Sequence, residues 1–265
     1  MTTDTSFAPD YTRNEEGLIM FPDDRSLRRQ LFPNKVEHPA KNNLYMLQEL
    51  VLHLSEPGDI ILDPMAGAGS MMWMARHDRK MWLIELQPTY AELQRQNRAA
   101  FDGEITLFEG DCRKILPFPP IIQAVIFSPP YSNQIKLNAG MEVYDEEGAR
   151  GDFAKGLAEF VSHPDNLSKL NDFQFDRAMT DIYRRIFESL KPGGFMCCVI
   201  KDQMKKGQRV MFGLQHVRIA IRVGFTTYEW HKRHAIGALF GRYNLKQGIA
   251  QVTDEHMLIL QKPYG

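Results

Sequence analysis

The sequence predicts an α/β domain on a doubly wound, mostly parallel sheet that ends in an antiparallel strand. Three observations carry that prediction. Short apolar runs alternate with amphipathic stretches from Asn43 to Phe225. The first apolar run ends at once in a glycine-rich turn, "DPMAGAGS". The last two runs, "TTYEWHKRH" and "EHMLILQK", are joined by Gly-rich chain with no helical period, which suits an antiparallel pair.

Residues 1–40 are polar, with scattered prolines, and read as an N-terminal arm before a single domain over residues 41–265. From Asn43, "NLYMLQELVLHLSE" places Leu44, Leu47, Leu50, Val51 and Leu54 at helical spacing, and Pro57-Gly58 ends the run. "DIILDP" reads as a short buried strand, Ile60–Asp63, and "MMWMARHD" as the start of a helix. "KMWLIELQP" is a second strand ending at Glu85, followed by the helix "TYAELQRQNRAAF". "ITLFEGDC" and "AVIFSPPY" are the third and fourth strands. Residues 134–172 break the rhythm, being polar, acid-rich and Gly-containing, and read as a loop region inserted over the strand ends. "FDRAMTDIYRRIFESLKPGG" is a helix with Ala178, Ile182, Ile186 and Leu190 on one stripe and Gly193-Gly194 as its stop. "FMCCVIKD" is a fifth strand and "GLQHVRIAIRVGF" a further helix.

The 265 residues are 43% hydrophobic and 25% charged, the balance of a globular protein. A net charge of −1 excludes a global basic field, so a nucleic-acid partner has to be met by a local patch. The three cysteines form no paired framework, and Cys197-Cys198 sits in an apolar run, as expected of a buried, reduced strand. No spaced His/Cys ligand set is present, so no metal is expected. No apolar run approaches the roughly 20 residues of a membrane span, and the first residues carry no apolar signal core. A cytoplasmic protein without a membrane partner is the expectation.

In an open parallel sheet, ligands bind beyond the carboxyl ends of the strands. "LDPMAGAGS" lies at such an end. Gly67 and Gly69 let backbone approach a ligand where a Cβ would collide. Asp63 at the strand tip can accept from a cationic or N–H group. Glu85, ending the next strand, suits two hydrogen bonds from ribose hydroxyls, and Asp111, ending the third, can reach an adenine ring or amino group. The turn lacks the Lys-Ser/Thr of a phosphate-binding loop and the third glycine of a dinucleotide turn. A nucleoside without a phosphate chain fits better; the bland alternative is a plain strand-to-helix turn.

"SPPY", Ser128–Tyr131, ends the fourth strand. Two prolines fix φ near −65° and remove two backbone donors, so nearby carbonyls are presented rather than used in a ladder. Ser128 adds a hydroxyl, and Tyr131 a flat face for a planar ring. Such a shelf suits an exocyclic amino group of a nucleobase. Its lone pair is delocalised into the ring, and two acceptors, Ser128 Oγ and the Pro129 carbonyl, would turn that pair toward an electrophile. The alternative is a Pro-stiffened strand exit with a surface tyrosine.

These residues resemble the S-adenosylmethionine-dependent amino-methyltransferases, the DNA N4-cytosine and N6-adenine group. "DPMAGAGS" looks like their cofactor motif, "LIELQPTY" and "GDCR" their ribose- and adenine-contacting strand ends, and "SPPY" their catalytic motif, whose serine form is associated mainly with cytosine N4. "HPAKNNLYMLQELV" is similar to the lead-in that holds the methionine end of the cofactor, although Asn42 stands where proline is usual. The order is cofactor motif before catalytic motif, the reverse of many SPPY enzymes. The resemblance implies a seven-stranded Rossmann-like methyltransferase fold, S-adenosylmethionine as cofactor, DNA as partner, and methyl transfer by direct displacement onto a flipped base. It assigns Lys41, Asp63, Pro64, Met65, Ala66, Gly67, Gly69, Ser70, Glu85, Leu86, Asp111, Cys112 and Ser128 to the cofactor. It assigns Ser128, Pro129, Pro130 and Tyr131 to catalysis.

The segment 205–248 is the candidate recognition segment. From Lys205 to Lys246 it carries nine Lys/Arg against one acid, Glu229, with interleaved aromatics. Arg233, Arg242 and Tyr243, with Tyr131, are the residues expected at the nucleic acid; the alternative is a solvated helix face over buried sheet aromatics. Few residues remain for a separate recognition domain, so a homodimer or a specificity partner is a further expectation. Cytosine N4 in DNA is the leading target, as in a restriction–modification system. Adenine N6 in DNA, a base in structured RNA, and a non-catalytic nucleic-acid-binding subunit are the alternatives.

Overall fold

The computed structural model describes residues 7–34, 41–130, 162–205, 208–235 and 251–265, with the side chain of Lys205 excepted. Its sheet strands are β1 (Ile60–Asp63), β2 (Lys80–Glu85), β3 (Ile105–Glu109), β4 (Ile122–Phe127), β5 (Leu190–Ile200), β8 (Thr226–His234) and β9 (Asp254–Gln261). A small hairpin, β6 (Gln203–Lys205) and β7 (Gln208–Val210), stands apart from the sheet. The helices are α1 (Arg25–Leu31), α2 (Leu44–Leu54), α3 (Pro88–Arg98), α4 (Cys112–Ile115), α5 (Asp172–Ser189) and α6 (Phe212–Val223).

The strand order is β3-β2-β1-β4-β5-β9-β8. The first five run parallel, and β9 is antiparallel to both its neighbours. The order therefore reverses between β1 and β4, which opens a crevice above their carboxyl ends. Apolar side chains fill both faces. Leu44, Leu47, Leu50 and Val51 of α2 pack with Ile61, Ala124 and Cys197 on one. Phe175, Met179, Ile182 and Ile186 of α5 pack with Val125, Phe127 and Cys198 on the other. This is the expected seven-stranded α/β sheet with an antiparallel terminal strand. No helix of the described residues is long and apolar enough to cross a membrane.

The helix starts follow local chemistry. The Asn43 side chain accepts from the Met46 N–H at 3.1 Å and so caps α2. Asn171 and Gln174 form a reciprocal capping box at the start of α5.

Three local expectations change. Ser70–His77, read as an α-helix, is a 3-10 helix held between two left-handed residues, Gly69 and Asp78. Gly193-Gly194 does not stop α5. That helix ends at Ser189, because Pro192 disfavours a helical conformation at Lys191. The two glycines lie inside β5, where the register to β4 jumps between Leu190 and Phe195. Gly193 has φ +77° there, and a Cβ would lie 2.3 Å from the Tyr264 ring. Finally, the N-terminal arm is packed: Phe7 and Ile19 are buried in the core. Ile19 exchanges backbone bonds with Lys232 and His234 at the outer edge of β8, at 3.0 and 2.9 Å.

Candidate active site

A cleft of about 240 Å³ lies over the switch point between β1 and β4. Its floor is the turn after β1. Asp63, Pro64, Met65, Ala66, Gly67, Ala68 and Ser70 line it, joined by Glu85 and Leu86 from the end of β2 and Asp111 and Cys112 after β3. Ser128, Pro129 and Pro130 line the same cleft from the end of β4. Lys41 lines it ahead of α2. The strand ends read as cofactor wall and amino-group shelf thus face one cavity.

The turn is locked by the protein itself. The Gly67 N–H donates to Glu85 Oε2 at 2.6 Å, and the Gly67 carbonyl accepts from the Gln94 side chain at 2.7 Å. The Gln87 N–H donates to Glu85 Oε1 at 2.7 Å. The Leu86 N–H bears on the same carboxylate, so Glu85 is held by three backbone donors and retains limited acceptor capacity for a ligand hydroxyl. Asp63 Oδ1 accepts from the Met65 N–H at 3.0 Å. Burial pushes both carboxyls up to about 7; for Asp63 the charge of Glu85 adds to the effect, and for each carboxyl the backbone donors partly offset it. Cys112 is pushed up to about 12, mainly by burial, so it is a neutral thiol and no nucleophile.

Two assigned residues behave differently from the expectation. Gly69 is absent from the cleft lining. It has φ +76°, and a Cβ would lie 2.7 Å from Met72 Cε and 2.8 Å from Gln94 Cγ. Its glycine is demanded by packing beneath the turn and by its left-handed backbone, not by ligand approach. Asp111 lines the cleft, yet its carboxylate is already engaged. It caps α4 by accepting from the Arg113 N–H at 2.8 Å, and it clamps the Arg113 guanidinium at 2.7–2.9 Å. Burial alone would raise its pKa; the hydrogen bonds from Arg113 outweigh that and lower it. Asp111 thus lines the cleft with its carboxylate already paired to Arg113.

The expected nucleic-acid contacts divide. Tyr131, Arg242 and Tyr243 lie outside the described residues, as does most of the insert, 131–161. Arg233 pairs with Glu255 at 2.6 Å, and Glu255 lines the cleft. Arg209 bonds Asp202 and Asp254 at 2.8 Å each, Lys232 pairs with Asp254 at 3.0 Å, and Arg222 with Asp176 at 3.1 Å. Four cations of the basic segment are therefore paired with carboxylates, Arg222 at an exposed position. For Asp254, burial is outweighed by Arg209 and Lys232, and its pKa drops to about 2.

Sequence reading missed several wall residues: Asn42, Leu47, Gln87, Gly110, Asp165, Asn166, Leu167, Lys201 and Glu255. Asp165–Leu167 come from the end of the insert, tied down by Arg113 Nη2 donating to the Asp165 carbonyl at 3.0 Å. Lys201 follows β5 and donates to the Ala235 carbonyl; burial lowers its pKa. Asn42, Leu47, Gln87 and Gly110 lie within the quoted motifs without being assigned to the site there, whereas no quoted motif marks Asp165–Leu167, Lys201 or Glu255. The one available signal is that each Lys201- or Glu255-type residue ends or begins a strand at the carboxyl edge. Among the described residues no cluster of His, Cys, Asp and Glu is arranged to hold a metal.

Residues 14–96 match the model of the N6/N4 DNA methylase family. Over that segment the chain resembles the DNA amino-methyltransferases. The match spans the arm, α2 and the whole glycine turn, and it stops before β4. No curated protein sequence matches the chain. Solved structures that share the fold include a methyltransferase from Pyrococcus furiosus, at 15% identity and TM-score 0.52 over 91% of this chain and 94% of that one. An S-adenosylmethionine-dependent methyltransferase from Methanosarcina mazei aligns at 12% identity and TM-score 0.52, over 82% and 98%. SpnF, a 4+2 cyclase, aligns at 16% identity and TM-score 0.51, over 83% and 81%. The fold is thus the Rossmann-like methyltransferase fold. A cyclase on the same fold means that the reaction has to be argued from the site.

Proposed function

We propose that this protein binds S-adenosylmethionine and transfers its methyl group to the exocyclic amino group of a base in DNA, with cytosine N4 as the preferred acceptor. The observation that carries the reading is that Ser128, Pro129 and Pro130 line the same cleft as Asp63, Gly67 and Glu85. The residues present fit the donor. Glu85 presents a carboxylate to a ribose hydroxyl beside the backbone N–H groups that hold it. Asp63 places a carboxyl at the strand tip, Met65, Ala66 and Leu86 supply apolar wall, and Lys41 a cation.

When bound, S-adenosylmethionine supplies an electrophilic methyl on a sulfonium. The chain's own part is positioning, which is where most of such catalysis resides. The Ser128 hydroxyl and Pro129 carbonyl accept the two N–H bonds of the amino group and turn its lone pair into the cleft. With the donor bound, the amino nitrogen so held would accept the methyl from a sulfonium that would leave with the bonding electrons, and the extra proton would pass to water. The base reaches the shelf by leaving its stack, stacking on Tyr131. The preference for cytosine rests on the serine of SPPY and on the resemblance alone.

The test is to incubate the protein with isotopically labelled S-adenosylmethionine and DNA or total RNA, digest to nucleosides, and identify the product by mass spectrometry. N4-methylcytosine in DNA is expected. N6-methyladenine alone would overturn the cytosine assignment, and label confined to RNA would overturn the DNA assignment. Absence of donor binding by calorimetry would leave a non-catalytic subunit.

A further inference from the structure

Arg28 belongs to the short arm helix α1 and to no motif, yet it is almost fully committed. Its side chain is 15% exposed. Nε donates to Asp24 Oδ2 at 2.8 Å, Nη1 donates to Ser70 Oγ at 2.8 Å, and Nη2 donates to the Asn42 carbonyl. Asp24 Oδ2 also accepts from the N–H of Leu44, the first residue of α2, at 2.9 Å. One planar guanidinium therefore joins three segments that are far apart in sequence: the arm, the lead-in to α2, and the residue that follows the glycine turn. Two of its partners, Ser70 and Asn42, line the cleft, beside Lys41.

The direction of the Ser70 bond matters. Because Oγ accepts from Arg28, the hydroxyl proton points elsewhere, and no acceptor among the described residues takes it. The guanidinium charge polarises that O–H and makes it a better donor. Arg28 brings Asn42 and Ser70 together beside Lys41, and all three line the same cleft as Glu85. An amino-acid end held in that cleft meets the Lys41 cation and the Ser70 hydroxyl at this corner. A lysine and an oriented hydroxyl suit a carboxylate.

We infer that Arg28 is a positioning residue for the amino-acid carboxylate of the donor, acting by fixing the Ser70 hydroxyl and the Asn42 backbone. The inference rests on the donor reading proposed above. It makes the N-terminal arm part of the cofactor site, although no described arm residue lines the cleft. Asp24 is the second part of the device, since it holds the guanidinium in the plane that reaches both partners.

The test compares two thioethers by calorimetry: S-adenosylhomocysteine, which carries the amino-acid carboxylate, and 5′-methylthioadenosine, which does not. Arg28→Gln and Arg28→Lys are measured with the full chain, after circular dichroism and thermal melting establish that each variant folds. Arg28→Gln is expected to weaken S-adenosylhomocysteine by about tenfold while 5′-methylthioadenosine changes less than about twofold. Arg28→Lys should fall between, because an ammonium cannot fork to both partners. Equal weakening of the two ligands would mean that Arg28 only supports the fold and would overturn the inference, as would no change in either. If the unsubstituted protein binds neither thioether, the donor reading itself fails and this inference falls with it.

Discussion

The turn after β1 and the turn after β4 face one cleft but are built in opposite ways. The first is closed on itself. Gly67 gives its N–H to Glu85 and its carbonyl to Gln94, and the left-handed Gly69 leaves room for Gln94 underneath. Its shape exists before any ligand arrives. The second is stiffened by Pro129 and Pro130, which fix φ and remove donors. Its stiffness comes from covalent rings, and Ser128, Pro129 and Pro130 line the cleft. A pre-formed wall suits a ligand that is bound and released unchanged in shape. A shelf of acceptors suits a group whose electrons must be aimed.

That difference predicts which measurement each substitution moves. Ser128→Ala removes one acceptor from the shelf and nothing from the wall's hydrogen bonds. Turnover is expected to fall by roughly a hundredfold, with donor affinity held within about twofold. Equal loss of both would mean that the shelf and the wall are one unit, and the comparison would break. Gly69→Ala acts on the other turn. The new methyl would meet Met72 and Gln94 at under 3 Å in a left-handed backbone. A loss of about 2 kcal/mol in urea unfolding is expected, from strain and overpacking together. Unchanged stability would show that Gln94 can withdraw, and that the Gly67 carbonyl does not need it.

What the sequence revealed follows the range over which each signal acts. The two motifs were legible because each lies within a few consecutive residues at the end of an apolar run. So were the antiparallel β8 and β9, whose alternation is local. The differences from the sequence reading have separate causes. Gly193 looked like a helix stop, but Pro192 keeps the helix from reaching it, and it lies with positive φ inside β5. Asp111 looked free until Arg113 folded back onto it. The cations of the basic segment looked like a phosphate-binding face until Asp176, Asp202, Asp254 and Glu255 took four of them. Arg28 was overlooked because a seven-residue helix with no buried apolar stripe leaves no period to read.

The pH dependence sharpens the comparison from the cofactor side. Asp63 and Glu85 are each raised by burial to about 7, and the charge of Glu85 adds to the effect at Asp63, so the pair takes up charge reluctantly in the folded chain. In the unfolded chain both ionise near pH 4. A raised folded value contributes stability that is complete below the unfolded value and is lost as pH rises through about 7. The ligand-free protein should therefore melt at a lower temperature at pH 8 than at pH 5. Donor affinity should run the other way. A sulfonium and two ribose hydroxyls favour the ionised carboxylates, so affinity should strengthen by about tenfold from pH 6 to pH 8, with proton release on binding. Calorimetry in buffers of different ionisation enthalpy reads that release. Glu85→Gln should flatten both the affinity profile and the pH dependence of the melting temperature, because it removes the titrating carboxyl, while its amide nitrogen cannot accept one of the backbone N–H groups that Glu85 holds. The shelf has no such group, so turnover at saturating donor should be far less dependent on pH over this range. A turnover profile as steep as the binding profile would place a titrating group at the shelf and remove the division between the two turns.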